Sequence, residues 1–306
     1  MKMNRLNKEL KRIVKSLLEK EVINLTIRLP VRALLHLKTM PFRLKNVVFE
    51  QIACRIPISS IDQFSIKTFD GKNMVIGEPS KSSVANQLFW QGFRGHEPET
   101  MQIFYRIAKK AQIIFDIGAH IGFYALLAGA INGKSKIFAF EPVPLLFKLL
   151  KTNITLNSFA NVIPIQKAVT DVDGQIPFYI NLESDCSASA LKGFRKIVQE
   201  SYVPSVTLDT FVVQNNIDKV DLLKIDVEGI DHKVLQGMQK ILARDEPDII
   251  CEVLYGRTEE ALQDILSNYS YKYYWITKDG LVLKDRIVGD IQSKYNNYLF
   301  SKKIMH

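Results

Sequence analysis

The chain has 306 residues, 47% hydrophobic and 24% charged, which excludes extensive disorder and leaves room for one large domain with an appendage. Cys54, Cys186 and Cys251 are odd in number and lack metal-ligand spacing, so neither a disulfide framework nor a zinc site is expected, and a reducing cytoplasm is the natural setting. The net charge of +9 is lopsided: residues 1–45 carry twelve Lys or Arg against Glu9, Glu19 and Glu21, so the rest is neutral and gives no reason to expect a nucleic-acid partner.

In the leader, residues 1–45, Leu6, Leu10, Ile13, Val14, Leu17 and Leu18 recur at helical spacing between Lys8, Lys11, Arg12 and Lys15. This spacing predicts an amphipathic basic helix, too interrupted for a signal peptide or a membrane span. Two readings follow: peripheral attachment to anionic lipid, or an apolar stripe packed on the protein itself or on a second subunit as a homodimer. Residues 46–110 read as a cover segment. Within it 61–77 alternate like short strands around Asp70-Gly71, and 81–109 are polar and helical, with Trp90, Gly92, Gly95, Glu97 and Glu99 serving as core and cap residues or as substrate contacts.

From 111 to 306, strands at 113–117, 136–140, 161–166, 221–226 and 247–254 alternate with helices at 122–131, 144–157, 230–242 and 258–268. Such alternation predicts an α/β, Rossmann-like domain with a mostly parallel sheet. A short strand at 175–180 precedes a long polar connection, 181–203, of a length that in a compact domain is usually either a functional lid or disordered.

Two motifs carry the chemistry. Asp116-Ile117-Gly118-Ala119-His120-Ile121-Gly122 joins a strand to a helix, and Glu141-Pro142 closes the next strand, where an acid can accept hydrogen bonds from ribose hydroxyls. Dinucleotide enzymes use three glycines so that a pyrophosphate can approach a helix; here an aspartate opens the turn and would repel one. It suits the ammonium and sulfonium of S-adenosylmethionine, although a buried, helix-capping Asp116 accounts for the same residue. Asn153 either hydrogen-bonds near the cofactor or simply packs. At the end of the strand 221–226, Asp226, Glu228 and His232 are candidate general bases, and strand alternation puts Lys224 on the face of Asp226. A structural Lys224–Glu252 ion pair is the competing reading for that lysine. Asp226, Glu228 and Asp231 alternatively offer hard oxygen ligands to a divalent cation such as Mg²⁺, although the turn and the helix cap explain the same acids without a metal.

The motifs Asp116–Gly122, Phe140-Glu141-Pro142, Asn153, Leu208-Asp209, Leu222-Leu223-Lys224-Ile225-Asp226-Val227-Glu228-Gly229 and Cys251-Glu252-Val253 together resemble the FkbM family of S-adenosylmethionine-dependent methyltransferases, in order and spacing over about residues 86–300. His120 and Asp231 depart from it, standing where the family most often has Asn and Glu. The resemblance implies a class I methyltransferase sheet closed by antiparallel aromatic strands at 271–276 and 296–301. It further implies Ala168 and Asp171 at the adenine edge, and methyl transfer to a hydroxyl of a sugar, glycolipid or secondary metabolite. The rival functions are an NAD-dependent oxidoreductase, disfavoured by the missing third glycine, and a non-catalytic glycan- or membrane-binding protein on the same fold.

Overall fold

The computed structural model describes residues 30–33, 58, 60–180, 188–189 and 199–304. The leader helix expected over Leu6–Leu25, Cys54, Cys186 and most of the connection 181–203 lie outside the described residues. The chain divides into two compact units, residues 1–67 with 75–96, and residues 68–74 with 97–306.

In the smaller unit, β1 (Gln63–Lys67) is half of the hairpin it forms with β2 (Asn73–Gly77), as the alternating pattern predicts. Helix α1 (Ser83–Gln91) starts at Ser82, whose hydroxyl accepts from the Ala85 amide at 3.2 Å, and buries Val84, Leu88, Phe89 and Trp90. Phe64, Phe89 and Trp90 meet edge to face, and the Arg32 guanidinium lies 4.3 Å from the Phe89 ring centre.

The larger unit opens with α2 (Pro98–Ala108), whose Pro98 sits in the first turn, where no amide is required. Then follow β3 (Ile113–Ile117), α3 (Phe123–Ile131), β4 (Lys136–Phe140), α4 (Pro144–Asn157) and β5 (Val162–Ile165). Further along come β10 (Leu222–Ile225), β11 (Asp248–Glu252), α8 (Glu259–Ser267), β12 (Lys272–Thr277), β13 (Gly280–Lys284) and β14 (Asn297–Ser301). The sheet runs β13-β12-β14-β11-β10-β3-β4-β5, parallel from β5 to β11 and antiparallel where β14 inserts between β11 and β12. This is the expected mostly parallel sheet with its antiparallel closing strands. Strands β3, β4, β10 and β11 are apolar almost throughout because helices cover both faces, and Phe115, Phe138, Phe140 and Phe211 interlock edge to face in the core. Asp221 ties the starts of β3 and β10 together by accepting from the Gln112 and Ile113 amides at 2.8 and 3.0 Å.

Three features differ from the sequence expectation. A second sheet, β6-β9-β7-β8, joins β6 (Ala168–Val169), β7 (Gly174–Ile180), β8 (Ala188–Ser189) and β9 (Gln199–Val206). In β9 the inward positions include small Ser205 while Tyr202 faces solvent, which hides the alternation. The single helix expected over 230–242 is two, α6 (Asp231–Gln236) and α7 (Gln239–Arg244). A Cβ on Gly237 would stand 2.1 Å from the Thr170 carbonyl oxygen, so close backbone approach breaks the helix there. Asp209, in the short helix α5 (Leu208–Gln214), caps α7 by accepting from the Lys240 and Ile241 amides at 3.0 and 3.1 Å. Finally, β13 is an edge strand paired to β12 across the turn before Gly280; none of its residues is buried, so it has no inward apolar period to read.

Candidate active site

The turn after β3 is held from four sides. The Gly118 and Ala119 amides donate to the Phe140 carbonyl at 3.0 and 2.8 Å, and Gly122 N donates to the Ala119 carbonyl at 2.7 Å. Gly118 has φ +79°, and a Cβ there would lie 1.9 Å from the Asp226 carbonyl oxygen, so the turns after β3 and β10 touch backbone to backbone. Gly122 has φ +89°, and His120, at φ +54°, holds a left-handed conformation that costs a non-glycine residue. Asn153, buried on α4, donates its amide to the Ile121 carbonyl at 2.9 Å; the contact is to the turn itself.

Asp116 is 2% exposed and accepts from the Ala125 amide at 2.9 Å, so it caps the first turn of α3 from the end of β3. Glu141, at the end of β4, accepts from the His120 amide at 2.8 Å through one oxygen and from the Val143 amide at 2.9 Å through the other. Pro142 between them has no amide to give. Burial raises both carboxyls to about 7, against the pull of Lys224 on Asp116 and of His120 and the two amides on Glu141.

Beside this turn lies a charged row on one face of the sheet. The register pairs Lys224 with Asp116 across β10 and β3, and Glu252 with Asn297 across β11 and β14; carried one residue past Ile225–Cys251, it sets Asp226 level with Glu252. Lys224, 1% exposed, sits with its Nζ 3.0 Å from Asp226 Oδ2, 3.8 Å from Glu97 Oε2, 3.4 Å from Asn297 Oδ1 and 5.2 Å from the Tyr124 ring centre. Glu97 also accepts from the Tyr124 hydroxyl at 2.6 Å and the Asn297 amide at 2.8 Å. Burial works against the charge on Lys224, but Asp226 and Glu97 outweigh it and raise its pKa, so the ammonium stays protonated; burial and Glu97 keep the Tyr124 hydroxyl protonated too. The structural alternative for Lys224, an ion pair with Glu252, gives way to pairs with Asp226 and Glu97, because the lysine points toward the start of α2.

The remaining candidates spread around this row. Asp231 is fully buried and accepts from the Val227 and Gly229 amides at 3.2 and 3.3 Å, holding the turn in which Glu228 and Gly229 adopt φ +55° and +93°. His232 lies near Lys233 and Asp171; burial and Lys233 lower its pKa, and its Nδ1 has no hydrogen-bond partner among the described residues. Asp171 reaches Lys233 at 3.8 Å, and Ala168 is buried in β6. Among the described residues no three His, Cys, Asp or Glu are grouped to hold a metal ion. Tyr124 and Asn297 carry no signal of a role in the sequence, and Glu97 reads there equally as a cap or a contact. The signals were thin: a Glu-Pro helix start, a hydroxyl in the first turn of α3, and one amide in the aromatic strand β14.

Residues 116–273 match the model of a family described as the methyltransferase FkbM domain. The hexuronic acid methyltransferase AglP of Haloferax volcanii is 28% identical over 173 residues, 56% of this chain and 68% of that protein. The 31-O-demethyl-FK506 methyltransferase FkbM of Streptomyces tacrolimicus is 27% identical over 159 residues, 43% of this chain and 61% of that protein. Methyltransferase sdnD of Sordaria araneosa is 25% identical over 156 residues, 42% of this chain and 60% of that protein. The chain thus spans about three fifths of the latter two relatives.

Proposed function

The chain belongs to the FkbM methyltransferase family and is an S-adenosylmethionine-dependent methyltransferase, and from that premise we propose that it methylates a hydroxyl of a sugar, glycolipid or secondary metabolite. Family membership sets aside the NAD-dependent and non-catalytic readings. The observation that carries the proposal is Asp226: a carboxylate 31% exposed at the end of β10, pinned through one oxygen by a buried lysine, beside the glycine turn. Similarity to a hexuronic acid methyltransferase and a 31-O-demethyl-FK506 methyltransferase supports sugar-like or small-molecule acceptors.

The residues fit the cofactor by their chemistry. Glu141 keeps lone pairs for ribose hydroxyls after accepting its two amides, Pro142 sets their spacing, and Ala168 and Asp171 are assigned to the adenine edge. Gly118, Ala119, His120 and Gly122 shape the turn for the methionine part, with Asp116 as the negative charge beneath its ammonium and Asn153 holding the turn. The bound cofactor supplies an electrophilic methyl group on a sulfonium. The protein must then orient the acceptor hydroxyl and take its proton, a role given to the Asp226 oxygen that Lys224 does not bond; Lys224 holds the carboxylate in place through the other oxygen, with Glu228 and His232 at the rim. Steady-state turnover with matched neutral sugars and macrolide hydroxyl acceptors tests the reading; binding of S-adenosylhomocysteine without turnover of any hydroxyl acceptor would overturn it.

The two buried carboxyls make a pH prediction. Each has its folded pKa raised above its unfolded value, so in the ligand-free protein the stability it contributes is full below about pH 4 and is lost as pH rises through about 7. A ligand that requires them ionised binds better above that point. S-adenosylhomocysteine is expected to bind several-fold more tightly at pH 8 than at pH 6, with proton release visible by calorimetry in buffers of different ionisation enthalpy. Glu141→Ala should weaken binding by about 1.5–3 kcal/mol, the range for lost charge-assisted hydrogen bonds, and flatten this dependence. Wild-type affinity in the folded mutant would place the ribose elsewhere.

For the basic leader the proposal is peripheral attachment to anionic membranes, with homodimer packing as the competing outcome. The full chain is expected to float with anionic vesicles at low salt and to leave them as salt rises, since exposed charges are screened within about 8 Å at physiological ionic strength. Removal of residues 1–45 should abolish flotation and spare cofactor binding. A shift from dimer to monomer on truncation would favour the packing reading.

A further inference from the structure

We propose a second ligand site at the amino ends of the strands, shaped for an organic anion with an apolar body: a carboxylate or phosphate monoester on a short chain or ring. The site is a cavity of about 450 Å³ between α2 and the sheet, a volume typical of small-molecule pockets. One wall is the flank of α2 and the turn after it, with Ile103, Arg106, Ile107 and Lys110. Opposite stand Lys219, ahead of β10, and Leu281 and Leu299 of the closing strands. Asp221, another lining residue, precedes β10 and Asp226 follows it, about 16 Å further on at the rise of a strand. The site thus lies at the other end of the sheet from the cofactor motif and stands or falls independently of the methyl-transfer reading.

Met101, Phe104 and Ala108 bury the packed face of α2, while Ile103, Arg106, Ile107 and Lys110 follow one another at helical spacing along the flank that overhangs the cavity. A flank that only met solvent would need no isoleucines there, and one that only packed would need no cations. Acids line the cavity too, but each is engaged. Asp221 accepts from the Gln112 and Ile113 amides, and Asp245 accepts from the Val220 amide and pairs with Arg244. Glu246 pairs with Lys302 and Asp248 with Lys303, both at 2.7 Å. Arg106, Lys110 and Lys219, all exposed, make no ion pair among the described residues, so the unmatched charge around the opening is positive. A bare inorganic anion would leave the apolar wall wet, and an uncharged apolar molecule would leave the cations unmatched. A recess between helix and sheet also shuts out a flat bilayer, so the ligand is a single molecule free in solution.

Calorimetric titration of the full chain with decanoate tests the site, with acetate as the head alone and decyltrimethylammonium as the same body under the opposite charge. Decanoate is expected to bind at least tenfold more tightly than either, and equally well with or without saturating S-adenosylhomocysteine. Replacing both Arg106→Gln and Lys110→Gln should weaken decanoate binding by about tenfold, the combined scale of two exposed charge contacts, and Lys219→Gln should weaken it severalfold from the opposite wall. Ile107→Asp, which sets a carboxylate on the apolar wall, should abolish it. The three charge-removing changes are at exposed positions, so denaturant midpoints should stay at the wild-type value. Equal binding of decanoate and decyltrimethylammonium overturns the anion preference. Decanoate affinity that is untouched by all of these variants, or that is lost when S-adenosylhomocysteine is added, places the probe elsewhere and overturns the site, as does an absence of decanoate binding. A wild-type protein that binds decanoate as described but not S-adenosylhomocysteine would overturn the methyl-transfer reading and leave this site standing.

Discussion

Asp226→Asn is expected to lower kcat by about a hundredfold or more while S-adenosylhomocysteine affinity stays within about twofold, the signature of a lost general base. The substitution keeps shape and leaves an amide oxygen to accept from Lys224 Nζ, now 3.0 Å from Asp226 Oδ2, so the buried ammonium is not orphaned. What it removes is basicity. Lys224 cannot substitute, because the surrounding acids keep it protonated, and the phenol of Tyr124 is held protonated by burial and by Glu97. Single-turnover rates with saturating cofactor, set beside calorimetric affinity, check the forecast. Metal assistance forecasts something else: loss of activity with chelator and recovery with Mg²⁺ would turn Asp226 from a base into a ligand.

Gly118→Ala is expected to cost the fold about 3 kcal/mol or more and to abolish cofactor binding, through left-handed strain and overpacking combined. The methyl group would have to occupy a point 1.9 Å from the Asp226 carbonyl oxygen, and that oxygen belongs to the turn that carries the proposed base. No side-chain rotation relieves a clash with backbone. Gly133→Ala is the control, since a Cβ there meets nothing within 4 Å. Denaturant midpoints of the two variants should differ sharply; a Gly118→Ala protein with wild-type stability and affinity would mean that the two turns are not in contact.

Asp116, Gly118, Gly122 and Glu141 were legible because a parallel sheet confines its ligands to the carboxyl ends of its strands, and because their spacing is set by one strand-turn-helix unit. Local chemistry of that kind survives in a linear reading. Glu97 did not, since its partners Tyr124, Lys224 and Asn297 come from three other elements and only the folded sheet brings them together. The choice between a Glu252 partner and another for Lys224 is not legible for a related reason: strand register puts Lys224 on the face of Asp226 and Glu252, but the lysine's reach toward α2 is not a property of the strands. Gly237 looks like a tolerated glycine inside a helix until the Thr170 carbonyl is seen against it.

The bond between Asn297 and Glu97 joins residues 200 positions apart, and it closes over a buried lysine drawn from the middle of the chain. During synthesis, β10 and its ammonium leave the ribosome long before β14 does. Until β14 inserts between β11 and β12, Lys224 lacks the Asn297 side chain as a polar neighbour and Glu97 lacks the Asn297 amide as a hydrogen-bond donor. Long-range pairings of this type form late and slow the search. The charged row around Lys224 therefore matures late in folding, and a chain stopped before Asn297 would carry every glycine and acid of the cofactor motif yet have no completed row beside it.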